Sequence, residues 1–185
     1  MQCLVCIQKT WNMTNTNKKV LIAYYSRKGQ NYVSGNIVNL PVGNTEVIAK
    51  KIQAIKGGDL FHIDTIKPYP VDYTQTTEVA KVELRQNARP KLNNSVKNMD
   101  DYDTIYLGYP NWWGTFPMAV FTFLESYDFS GKTIIPFCTH EGSGMGGERD
   151  IKKLCPNTTV LKGIAFHGST VANVDNQLVK WLNTL

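Results

Sequence analysis

From residue 18 onward, short apolar runs alternate with stretches whose apolar residues recur at helical spacing, and this alternation restricts the fold more than any other feature of the chain. Repeated strand–helix units give a parallel sheet, because parallel neighbours need a long crossover and a helix supplies it. The first run, Lys18 to Ser26, is almost continuously apolar, as expected of a strand covered on both faces. Val47, Ile48, Ile52 and Ile55 then mark a helix from about Thr45 that Gly57 and Gly58 stop. A second strand is read over Leu60 to Ile66, broken by Lys67-Pro68-Tyr69-Pro70, with a mostly polar helix from about Tyr73 to Ala88 after it. The third unit pairs a strand at Thr104 to Tyr109 with a helix at about Pro117 to Tyr127. The fourth pairs Thr133 to Thr139 with about Gly147 to Leu154. An uninterrupted fifth strand, Val160 to His167, precedes a last helix from Val174 to Leu185. Five such units predict an α/β fold: a doubly wound five-stranded parallel sheet of order 2-1-3-4-5, with ligand at the carboxyl ends of the strands.

The 185 residues suffice for one domain, read as residues 18–185, with residues 1–17 an N-terminal tail expected to be disordered. A chain this long buries roughly 70 % of its unfolded surface and needs no disulfide or metal staple. The composition, 42 % hydrophobic and 19 % charged, is that of an ordinary globular protein. No apolar run approaches the roughly 18 residues of a membrane span. The apolar opening MQCLVCI is short and has no basic segment before it, so a secretory signal is not expected and the location read is cytoplasmic. The net charge of +5 is concentrated at the start: Lys9, Lys18 and Lys19 stand in a stretch without acids, and the remainder is nearly neutral. No Lys/Arg cluster interleaves with aromatics, so a nucleic-acid partner is not expected. Cys3 and Cys6 form a C-x-x-C outside any thioredoxin-like unit, and Cys138 reads as a small buried thiol within a strand.

In a sheet of this order the loops after strands one, three and four converge, and those are the three unusual loops of the chain. After strand one, Ser26-Arg27-Lys28-Gly29-Gln30-Asn31 is separated by a detour from Gly43-Asn44-Thr45, which opens the helix. Small and hydroxylic residues at a helix N-terminus suit a phosphate: free amides point outward and the helix dipole favours an anion. Either segment could hold one, and Gly43–Thr45 is preferred because a helix follows it directly; Thr45 also fits a plain helix cap. The detour, Tyr32 to Val42, has Val33-Ser34-Gly35-Asn36 as a hairpin turn and reads as a flap over or beside the phosphate site.

After strand three comes Pro110-Asn111-Trp112-Trp113-Gly114-Thr115-Phe116-Pro117. Indole faces suit a planar heterocycle, while core packing under the next helix is the competing use, expected for one of the two. Gly114 permits a positive φ or a close approach to a ring edge. After strand four, Thr139-His140-Glu141-Gly142-Ser143-Gly144 carries little bulk, so its backbone can line a ring. A lone His140 is more often structural than catalytic, and His140 with Glu141 is no zinc motif. His62 and His167 are read as structural, in strand patterns away from this cluster. Ser26 and Ser143 lack the setting of a hydrolase nucleophile.

In combination, V-L-I-A-Y-Y-S, G-N-T, P-N-W-W-G-T-F-P and T-H-E-G-S-G resemble the flavodoxin-like flavoproteins over about residues 18–185, in the short-chain form. The resemblance implies one FMN. Ser26, Asn44 and Thr45 would hold its phosphate, with Gly43 allowing close approach. Trp112 or Trp113 would stack on or border the ring, beside Pro110 and Asn111 and with Gly114 near its edge. Thr139, His140, Glu141, Gly142, Ser143 and Gly144 would supply backbone contacts to its pyrimidine side. The chain departs from the family in its split phosphate loop, its lack of acidity, and the missing aromatic after strand four, for which His140 or Met145 could substitute. Two functions follow from the resemblance. One is an electron carrier serving a redox partner protein; the other is an FMN-dependent NAD(P)H:quinone-type reductase with a small-molecule acceptor, for which the near-neutral charge and the P-x-W-W-G-x-x-P loop also speak. The protein would be a monomer or homodimer, and no side-chain catalyst is assigned, since the cofactor carries the chemistry.

Overall fold

The computed structural model describes residues 19–185; the expected tail at 1–17 and the Cys3/Cys6 pair lie outside them. Strand β1 (Lys19–Tyr24) is followed by a hairpin, β2 (Gly29–Val33) and β3 (Asn36–Leu40), and then by helix α1 (Asn44–Lys56). Next come β4 (Asp59–His62), α2 (Tyr73–Arg85), β5 (Tyr102–Pro110), α3 (Met118–Glu125), β6 (Thr133–His140) and α4 (Glu148–Leu154). Two short strands, β7 (Thr159–Val160) and β8 (Ile164–His167), and α5 (Asp175–Leu182) complete the chain. The main sheet is parallel throughout, in the order β4-β1-β5-β6-β7, with β8 also on β6. Counted by βα unit that is 2-1-3-4-5, as the alternation predicts.

Alternation along the strands divides the core between the two faces of the sheet. Leu21, Ala23, Ile105 and Leu107 are buried on one face with Val120 and Phe123 of α3 and Ile151 of α4. Ile22, Tyr24, Tyr106 and Phe137 are buried on the other with Ile48 and Ile52 of α1 and Leu178 of α5. Burial on both faces explains the nearly unbroken apolar runs. Gly108 of β5 stands opposite Phe137 of β6, whose ring occupies the space a Cβ at 108 would take. Cys138 is fully buried and free, as its strand setting suggests.

The fifth strand is not continuous. Val160 pairs Ile134 and Ile164 pairs Phe137, so three residues on one strand face two on the other. Pro136, which brings no N–H to the ladder, lies in that gap, and Gly163 packs so closely that a Cβ there would meet the Pro136 carbonyl and Met145. The second strand is shorter than its apolar pattern, ending at His62. Beyond it Ile66 donates to the Lys91 carbonyl (3.0 Å) and Asn93 to that of Asp64 (2.8 Å), so the chain pairs with the returning segment instead. The detour is a true hairpin: Ser34 and Gly35 turn with φ of 48° and 91°, the doubly left-handed turn that matches strand twist. Among the described residues no helix is long and apolar enough to cross a membrane.

Candidate cofactor site

The three loops meet at the carboxyl ends of β1, β5 and β6. The two halves of the split loop are joined in space. Ser26 Oγ accepts from the Glu46 amide (3.0 Å), capping α1 from outside the helix, and a Cβ on Gly43 would fall on Ser26 Oγ and the Arg27 carbonyl. Gly43 therefore serves the chain's contact with itself. It is also the N-cap residue, so Thr45 is not the cap. The Thr45 hydroxyl instead meets that of Thr139 at 2.8 Å, both side chains buried, which ties α1 to the end of β6. Two hydroxyls carry two hydrogens and their mutual bond uses one, leaving one to donate outward. Of the four leading α1 amides, Glu46 is taken by Ser26 and Val47 by the Gly43 carbonyl (3.2 Å). Those of Asn44 and Thr45 have no partner among the described residues, as expected of the first helical turn.

After β5, the Trp112 and Thr115 backbones exchange hydrogen bonds (2.8 and 3.2 Å) around a tight turn with Trp113 at φ 57° and Gly114 at φ 87°. Asn111 braces it, accepting from the Gly114 amide (3.0 Å) and donating Nδ2 to the Gly144 carbonyl (2.9 Å), which links the loops after β5 and β6. Trp112 is half-buried, edge-on to Tyr25 (5.5 Å) and Tyr69 (5.3 Å). Trp113 is 51 % exposed. Its indole N–H donates to the Thr77 carbonyl of α2 (3.1 Å), and the Lys81 ammonium lies 5.1 Å over its ring.

After β6, His140 Nδ1 accepts from the Gly142 amide (2.9 Å). Burial, and then the nearby His167, hold the His140 pKa below the usual value, with Glu141 pulling the other way. His167 is not remote, contrary to its strand-pattern reading: register sets it opposite His140, ring centroids 5.5 Å apart, and its Nδ1 lies 3.6 Å from Glu141 Oε2. His62 likewise borders the loop after β1, with Nε2 3.3 Å from the Ser26 carbonyl oxygen.

One cavity of about 120 Å³ collects most of the expected residues. Ser26, Asn44 and Thr45 form one end. Pro110, Asn111 and Trp112 form one side, and Thr139, His140 and Glu141 the other. Trp113 borders an adjoining space of about 400 Å³ with Thr76, Thr77 and Ala80. Gly43, Gly114, Gly142, Ser143 and Gly144 shape the loops without lining either space, and Met145 packs toward the core beside Gly163.

Arg27 and Asn31 of the less favoured Ser26–Asn31 segment, Tyr32 of the expected flap, and Tyr73, which sequence reasoning missed, complete the first cavity. The Arg27 guanidinium donates to the carbonyls of Gln30, Pro70 (2.8 Å) and Val71 (2.6 Å), clamping the hairpin base to the segment before α2. Tyr32 of the hairpin stacks on Tyr73 (6.2 Å), and Gln30 Oε1 accepts from the Tyr73 amide (3.0 Å). The hairpin thus stands beside the cleft as its outer wall.

Known proteins share the fold. A flavoprotein from Bacteroides eggerthii is 29 % identical, the match covering 91 % of this chain and 98 % of that one with a TM-score of 0.73. A flavoprotein from Bacteroides uniformis is 28 % identical, covering 90 % and 98 %, TM-score 0.70. A Lactobacillus acidophilus flavoprotein, solved in complex with FMN, shares the fold at 22 % identity, 89 % and 99 % coverage and a TM-score of 0.64. No curated protein sequence matches significantly. The family model described as Flavodoxin matches residues 19–185, all of the described residues, and the chain belongs to the flavodoxin family of FMN-binding flavoproteins.

Proposed function

We propose that this protein holds one FMN non-covalently in the strand-end cleft and uses it to transfer electrons, as a flavodoxin-like redox carrier. The observation that carries the reading is the open start of α1: two amides without a partner among the described residues and a buried hydroxyl pair with a hydrogen to spare, at one end of a cleft walled further along by an indole. Those donors and the helix dipole suit a phosphate. The Arg27 guanidinium is spent on backbone carbonyls, so the donors are amides and hydroxyls and not a free cation. Trp112, braced from behind by Tyr25 and Tyr69, offers a fixed aromatic surface on which to stack or border a ring. Pro110, Asn111 and the loop from Thr139 to Gly144 would form the rest of the ring site. The Lactobacillus acidophilus relative, solved with FMN, supports FMN as the cofactor. FMN supplies the electron chemistry when bound; the residues of the chain hold it, orient it and exclude water. The setting we propose is cytoplasmic, with a redox partner protein.

One observation favours a second reading, an FMN-dependent NAD(P)H:quinone-type reductase. The space of about 400 Å³ beside Trp112 and Trp113 is of a size that small-molecule sites have, roughly 300–1,000 Å³. Anaerobic titration with NADH and NADPH, with and without a quinone, separates the two. Bleaching of the flavin only through an added reductase supports the carrier; direct bleaching followed by quinone turnover supports the reductase.

A further inference from the structure

Among the described residues, one buried side-chain oxygen lacks any hydrogen-bond partner: Oε1 of Glu141. Leaving a carboxylate oxygen buried and unpaired is costly, and buried polar atoms are nearly always satisfied, so the atom calls for a donor. Its twin is engaged. Oε2 accepts from the Ser34 amide at the hairpin tip (3.2 Å) and faces His167 Nδ1 at 3.6 Å. The carboxylate is thus held by the hairpin on one side and the end of β8 on the other.

Where that oxygen lies follows from Gly168. A Cβ at 168 would fall on both Glu141 Oε1 and the Asn44 carboxamide, so both border the same small space at the α1 N-terminus. Glu141 also lines the cleft that runs from Ser26 and Thr45 to Trp112. Phosphate oxygens, which carry no hydrogen at neutral pH once ionised, cannot satisfy a carboxylate; a hydroxyl can. Given FMN with its phosphate at Asn44 and Thr45 and its ring toward Trp112, the hydroxyls of the ribityl chain are what lies between. We propose that Glu141 Oε1 accepts a hydrogen bond from a ribityl hydroxyl and so selects flavins that carry the polyol chain over the bare ring. This rests on the FMN reading above.

The test is fluorescence titration of the flavin-free protein with FMN, riboflavin and lumiflavin, which keeps the ring but lacks the polyol. Glu141→Ala should weaken riboflavin about ten- to hundredfold, as loss of one hydrogen bond to a charged group does, and leave lumiflavin unchanged. FMN should lose less than riboflavin, because the substitution also removes a negative charge close to the phosphate end. Glu141→Gln offers one acceptor where the carboxylate offers two and should fall between, which keeps the test open if the alanine variant folds poorly. Lumiflavin weakened as much as riboflavin, or no ligand affected in either variant, overturns the proposal while tight wild-type binding leaves the FMN reading standing. Wild-type protein that binds none of the three overturns both.

Discussion

Replacing Thr45 by valine separates a phosphate contact from a packing role, because valine keeps the shape and removes only the hydroxyl. Thr45 is 2 % and Thr139 4 % exposed, so their 2.8 Å bond is shielded from water. In the flavin-free protein T45V strands the Thr139 hydroxyl, at a cost of about 1–3 kcal/mol. For a chain of this size each kcal/mol lowers Tm by about 2–4 °C. Thr45→Val with Thr139→Val removes both halves of the pair, and its Tm should lie well above the sum of the single losses, the signature of direct coupling. In the holoprotein the spare hydrogen of the pair is assigned to phosphate, a charge-assisted bond of about 1.5–3 kcal/mol. The Kd for FMN should therefore rise about 10- to 150-fold in T45V. Riboflavin, lacking the phosphate, should bind nearly as to wild type. Titration of the apoprotein with both ligands, beside thermal melts, reads all of these. Equal weakening of FMN and riboflavin would show that the hydroxyl pair only holds α1 to β6.

Other changes test separate parts of the account. Trp112→Ala should raise emission per bound flavin and lower Tm, since Trp112 both lines the cleft and packs on Tyr25 and Tyr69; Trp113→Ala, half-exposed, should leave Tm nearly unchanged. Gly108→Ala drives a methyl into the Phe137 ring and should cost about 1–3 kcal/mol in a denaturant melt. His140 has a folded pKa below its ordinary value of 6.5, so the unfolded chain binds more protons as pH falls through that value. Stability should be unaffected by this group above 6.5 and erode below it, and His140→Gln should flatten the acid limb of a stability–pH curve.

The sheet order was legible because strands buried on both faces announce themselves as apolar runs, and Gly57 ends α1 where helix-stop chemistry places it. The break in the fifth strand was not, because its causes lie across the ladder: Pro136 on β6 and the close approach at Gly163 do not alter the apolar pattern of 160–167. Strand periodicity put His167 inside an element, but only register could bring it beside His140. Thr45 reads as a cap because a hydroxyl at a helix start usually is one; here Ser26 supplies that acceptor from the far side of the hairpin. Tyr32 belongs to the expected flap, but Tyr73 left no mark, since a hairpin and a helix start become one wall only through Arg27 and Gln30.

The most direct test of the central claim is the flavin content of the purified protein. On the present account it is yellow, releases close to one FMN per chain on denaturation, and takes FMN back when refolded. Colourless protein that also fails to take up added FMN contradicts the cleft assignment and everything built on it.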